Sequence, residues 1–60
     1  MKVKVLKTSD SMFWYSKYVG QCFDVLRTEW DRYWVREPAG FLNFVLVADS
    51  EIVLIAKEDK

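Results

Sequence analysis

The sequence predicts a small all-β fold, five short strands curled into one barrel. Three observations predict it: apolar residues recur with period two along most of the chain, turn chemistry punctuates it at short intervals, and β-branched and aromatic residues fill the segments between. Period two is the signature of a pleated strand with one face buried. Five short strands in 60 residues cannot build a full sandwich, but one closed barrel removes most exposed edges.

The elements follow in order. Lys2-Val3-Lys4-Val5 sets valines on one face and lysines on the other, a half-buried first strand. Thr8 to Ser11 is small and polar, hence turn and loop. Met12-Phe13-Trp14-Tyr15-Ser16-Lys17-Tyr18 has no clean period and reads as a long, side-chain-rich aromatic loop ending at Val19-Gly20. Gln21 to Arg27 is the second strand, with Phe23 and Val25 on one face and Cys22, Asp24 and Leu26 on the other. A polar connection, Thr28-Glu29-Trp30, leads to the third strand, Asp31 to Glu37. There Tyr33 and Val35 oppose Arg32, Trp34 and Arg36, residue types suited to a pleated surface. Glu37-Pro38-Ala39-Gly40 is the sharpest turn signal: proline presets φ at the second position and glycine accepts the left-handed conformation that follows. The hairpin continues into a fourth strand, Phe41 to Val45. Val47-Ala48-Asp49-Ser50 reads as a short 3₁₀ turn with Asp49 as its cap. Glu51 to Ala56 is the fifth strand, and its Ile52-Val53-Leu54-Ile55 run is apolar on both faces, so it is covered on both or meets a second chain. Residues 57–60 are a charged, frayed tail. The chain is thus one domain, 1–60.

Composition narrows the function classes. A 60-residue fold buries only about 60% of its unfolded surface, and small chains often compensate with disulfides or a metal. One cysteine and no histidine supply neither, so no metal or cofactor is expected and stability rests on apolar packing or oligomerisation. Nine basic and nine acidic side chains cancel, which argues against a dedicated phosphate-neutralising module. The alternating N-terminus is no signal peptide, and no apolar run reaches the roughly 18 residues of a membrane span. The expected location is cytoplasmic, with no membrane association. No nucleophile motif, Gly-rich phosphate loop or acid–base pair occurs, so the chain is not expected to be an enzyme. Cys22 reads as a small apolar filler.

Strand, long aromatic loop and then Tyr18-Val19-Gly20-Gln21-Cys22-Phe23-Asp24-Val25 resembles the opening of the small SH3-like and KOW-like barrels. In those families a glycine precedes a strand with two inward apolar residues, matched here by Gly20, Phe23 and Val25. Asn43-Phe44-Val45 through Asp49-Ser50-Glu51-Ile52-Val53 is similar to their fourth strand, 3₁₀ turn and fifth strand. The resemblance implies a five-stranded SH3-like barrel of the kind found among small proteins of Gram-positive bacteria and their phages. The Ala-Leu-Tyr-Asp-Tyr-like motif and the Trp-Trp pair of peptide-binding SH3 domains are absent, so recognition of Pro-rich peptides does not follow.

Six residues stand out as candidates for partner binding: Tyr15, Tyr18, Trp30, Arg32, Trp34 and Arg36. Trp34 lies between two arginines at two-residue spacing, which makes either a recognition spot or an internal cation–π stack. No turn type asks for Trp30, so it is folded back as a lid or displayed. Of the aromatic loop, Phe13 or Trp14 plugs the barrel, whereas Tyr15 and Tyr18 suit a surface patch because a phenol accepts apolar neighbours and water together. A core this small cannot hold all of Met12, Phe13, Trp14, Tyr15 and Tyr18. The expected function is therefore a small non-catalytic module that binds another protein, such as a host protein met by a phage or mobile-element factor, or a second copy of itself. The alternative is a barrel for single-stranded nucleic acid, with aromatic stacking and Lys2, Lys4, Arg27, Arg32 and Arg36 on phosphates.

Overall fold

A computed structural model describes residues 1–53; the expectations for Leu54, Ile55, Ala56 and the 57–60 tail lie outside the described residues. Strands β1 (Lys2–Val5), β2 (Cys22–Thr28), β3 (Arg32–Arg36), β4 (Leu42–Leu46) and β5 (Ser50–Val53) form one antiparallel sheet in the order β4-β3-β2-β1-β5. β2 bridges its two halves. Lys4↔Cys22 and Lys2↔Asp24 pair it with β1, and Val25↔Val35 with β3, across a register shift between Val25 and Arg27. A shift of this kind bends a strand and raises its twist.

The alternation expected from the sequence sets the core face. Val3, Val5, Val35 and Val45 are wholly buried, and Phe23 and Tyr33 nearly so. The register aligns them: Val3 opposes Phe23, Val25 opposes Val35, and Tyr33 opposes Val45.

Two turns rest on glycine. The Gly40 N–H donates to Glu37 O at 2.8 Å and the Glu37 N–H to Phe41 O at 2.8 Å, with Gly40 at φ 96°. This is a tight turn closed by a left-handed residue, as Pro38 and Gly40 imply. At the entry to β2 the Gln21 N–H donates to Tyr18 O at 3.0 Å; Val19 has φ −58° and ψ 131°, and Gly20 φ 94°. Those angles are those of a type II turn, which needs glycine at its third position.

The sheet is not a barrel. β4 and β5 are its two edges and do not pair, so closure, and with it the resemblance to SH3-like and KOW-like barrels and the phage setting drawn from it, does not hold. The β4 edge is finished by side chains instead. The indole N–H of Trp14 donates to Phe44 O at 2.5 Å, the Phe44 N–H donates to the Asn43 carboxamide oxygen at 2.9 Å, and the Ser50 hydroxyl donates to Leu46 O at 2.9 Å. These contacts satisfy edge groups that barrel closure would otherwise have paired.

The aromatic segment is more ordered than a loop. Trp14–Tyr18 forms a 3₁₀ helix, and Val47–Asp49 forms the short one expected before β5. Asp10 starts the first by accepting the Met12 N–H on its carboxylate at 2.8 Å and the Phe13 N–H on its carbonyl at 3.0 Å, an Asx-type turn. Tyr15, expected at the surface, is wholly buried, while Phe13, Trp14 and Tyr18 pack part-buried against the core. Cys22, expected as filler, is exposed, because the outward face of β2 carries it. No helix among the described residues is long and apolar enough to cross a membrane.

Candidate functional site

The site begins with a buried carboxylate. Asp49 is fully enclosed and does not cap its own 3₁₀ turn as expected. It reaches back some 40 positions in sequence, accepting the Ser9 N–H at 2.9 Å, the Ser9 hydroxyl, and the Tyr15 phenol at 2.6 Å. Burial by itself would push its carboxyl pKa up. The donors from Ser9 and Tyr15, with the charge of Lys7 behind them, overcome that and hold it below the usual carboxylate range. The Tyr15 phenol moves well above its ordinary value, first through burial and then through its bond to Asp49. Asp49 thus ties both ends of the Ser9–Tyr15 stretch to the sheet.

That tie, with an aromatic stack, holds one wall of a groove. Trp14 meets Tyr15, Tyr18 and Phe23 at ring-centroid distances of 5.7, 5.8 and 5.4 Å. Phe13 meets Phe44 edge-on at 5.2 Å, a preferred aromatic geometry. The opposite wall is the β3–β4 turn, Glu37 to Ala39. Between them lies a partly open groove of ≈ 400 Å³, lined chiefly by Met12, Trp14, Lys17, Tyr18, Glu37 and Pro38. Met12 is 86% exposed. The Glu37 carboxylate accepts from the Asn43 carboxamide N–H at 2.8 Å, which fixes the turn to β4.

The six sequence-selected residues fall into separate places. Tyr18 lines the groove. Tyr15 lies beneath it as a strut and has no surface to offer. Trp30 stands at the tip of the β2–β3 hairpin, 92% exposed, displayed and not folded back. Arg32, Trp34 and Arg36 share the outward face of β3, where Trp34 opposes Phe44. The expected stack of arginine on Trp34 does not form. Arg32 instead lies over the Phe44 ring at 5.5 Å, and its guanidinium also donates to both carboxylate oxygens of Asp31, at 3.1 and 2.9 Å. This fork lowers the Asp31 pKa and raises that of Arg32. Arg36 donates to Gly40 O at 2.8 Å and so serves the turn. Trp34 is part-buried, and its indole N–H is shut from solvent without a partner.

Sequence reasoning missed Met12, Lys17, Glu37 and Pro38 as members of one site. The apolar surplus of Met12–Tyr18 pointed to one wall. The other is brought by the β3–β4 hairpin, and Pro38 had signalled only a turn. Among the described residues no group of three or more Cys, Asp or Glu is placed to hold a metal ion. Comparison with protein-family models, with curated proteins and with solved structures finds no match for this chain.

Proposed function

We propose that this chain is a small non-catalytic binding module that takes a segment of another protein in the groove between Met12–Tyr18 and Glu37–Ala39. The observation that carries the reading is the groove itself, ≈ 400 Å³ with a mixed lining in which Met12, Trp14, Tyr18 and Pro38 sit beside Ser11, Ser16, Lys17 and Glu37, and with Met12 standing 86% exposed at its side. An unbranched thioether adapts to varied apolar partners, and a half-buried Tyr18 offers an apolar ring with a polar tip. Exposed apolar side chains gathered around a concavity mark interaction sites more often than scattered ones do. The exposed, solitary Cys22 thiol fits a reducing, cytoplasmic setting.

Single-stranded nucleic acid has less support. Of the cations it would use, Lys2, Arg27 and Arg32 each lie within 3.0 Å of a carboxylate, on Asp24, Glu29 and Asp31 respectively, and these would have to be released before phosphate could bind.

Selection of displayed peptides on the immobilised chain, followed by amide-shift mapping with the enriched sequences, tests the reading. Shifts should concentrate at Met12–Tyr18 and Glu37–Ala39. Met12→Ala and Tyr18→Ala should each weaken binding by about 1–2 kcal/mol, the range of significant interface side chains, with stability unchanged for the exposed Met12 and lowered for Tyr18, whose ring also packs on Trp14 and the core. Shifts centred on Trp30 and Trp34 would remove the groove from the proposal.

A further inference from the structure

Resting on the groove reading, we infer that the partner segment is an extended peptide that places an acidic side chain beside an apolar anchor, and that side chains rather than an added β-strand hold it. Charge supplies the first half. Among the described residues the groove's lining carries one cation, Lys17, in the last turn of the first 3₁₀ helix. Lys17 is exposed and forms no ion pair among the described residues. The groove's carboxylate, Glu37, is part-buried, and one of its two oxygens already accepts from the Asn43 carboxamide at 2.8 Å. A visiting segment therefore meets an exposed ammonium group on the helix wall and a part-buried, still charged carboxylate on the turn wall, and electrostatic complementarity favours an acidic side chain at the Lys17 end, away from Glu37.

The capped β4 edge supplies the second half. Strand addition needs free N–H and C=O groups along an edge. Beside the groove, both groups of Phe44 are occupied, the carbonyl by the Trp14 indole and the N–H by the Asn43 side chain. A main-chain ladder along β4 is interrupted at Phe44. What remains is the apolar lining of Met12, Trp14, Tyr18 and Pro38, a volume at the lower end of the roughly 300–1,000 Å³ typical of ligand sites. That suits one anchor side chain with its neighbours.

Peptide selections run in parallel on the native chain, Lys17→Gln and Lys17→Glu test this. The native chain should enrich sequences with Asp or Glu next to a large apolar residue. Their affinity should fall about tenfold or more on Lys17→Glu and less on Lys17→Gln, decline with added salt, and leave Tm unchanged. Selection on Lys17→Glu should turn to Lys or Arg at the same position. Peptides that shift the groove amides yet carry no acidic preference, or bind Lys17→Glu equally well, overturn the inference and leave the groove reading intact. Peptides that map elsewhere, or no enrichment at all, overturn both. A peptide whose backbone amides become protected against exchange in a ladder with β4 overturns the side-chain mode alone.

Discussion

At the scale of single residues, Asp49 carries the most consequence. A carboxylate with no access to solvent is costly unless donors surround it, and here three donors from Ser9 and Tyr15 do. Removing one of them shows what the arrangement contributes. Tyr15→Phe keeps the ring and its contacts with Phe13, Trp14 and Phe44 but deletes the hydroxyl. A hydrogen bond to a charged group contributes about 1.5–3 kcal/mol, so thermal unfolding should show a loss of that size, at about 4–8 °C per kcal/mol for a domain this small. A variant as stable as the native chain would mean that Ser9 alone satisfies Asp49. Acid gives the complementary test. The folded state holds the Asp49 pKa below its unfolded value of about 3.9, so the folded protein binds the proton less readily than the unfolded chain. The stabilisation is then fully present above that value and is lost as pH falls from it toward the lower folded pKa. The stability gap between the native chain and Asp49→Asn, measured by denaturant titration, should be flat near neutrality and shrink below about pH 4. A gap that widens on acidification would show that the protonated form is the one the fold prefers.

At the scale of elements, the two tryptophans nearest β4 do opposite things with the same group. Trp14 donates its indole N–H to the open edge at Phe44 O, whereas that of Trp34 is buried without a partner. A lost bond that strands a carbonyl costs more than a lost donor that had no acceptor. Trp14→Phe should therefore destabilise the domain by about 1–2 kcal/mol more than Trp34→Phe, read from chemical denaturation of the two variants. Equal losses would indicate that the edge cap contributes nothing beyond ring packing. The contrast also shows what the sequence could and could not say about elements. Strand positions and faces were legible because alternation is local: Val3 and Val5, Tyr33 and Val35 took the faces their spacing implies. The Pro38–Gly40 turn was legible for the same reason. The 3₁₀ helix at Trp14–Tyr18 was not, because its order comes from Asp10 on one side and from Asp49, Phe44 and Phe23 on the other. Tyr15 was misplaced on the same account: a phenol suits a surface unless a distant carboxylate is waiting for it.

At the scale of the whole molecule, closure is what local pattern failed to determine. Five strands of this length are compatible with a barrel or an open sheet, and the choice depends on whether the terminal strands meet or find other partners. β4 finds Trp14, Asn43 and Ser50; β5 finds only β1 among the described residues. Among the described residues the two edges therefore differ: β4 is capped at Phe44 and at the Leu46 carbonyl, and β5 carries no such cap. Backbone geometry identifies the open groups. Val5 directs its N–H and C=O to Gln21 and Gly20 on the β2 side, and Leu6 donates to Asp49 on the β5 side. By alternation Lys2 and Lys4 also face β5, where they oppose Val53 and Glu51. Ile52, between those two, turns its N–H and C=O away from the sheet, and its side chain is 48% exposed although it opposes the fully buried Val3. Native-state hydrogen exchange should then rank three amides. Val5, bonded inside the sheet at 2.9 Å, should exchange slowest, Phe44 with its side-chain acceptor should be intermediate, and Ile52 should exchange near the rate of an unprotected amide. Slow exchange at Ile52 that strengthens with protein concentration would mean that a second copy pairs along β5, since unpaired N–H and C=O groups on an edge strand, here beside the β-branched Ile52 and Val53, are a template for such pairing. Slow exchange independent of concentration would place that amide under cover from the chain itself, and the edge would then not be open.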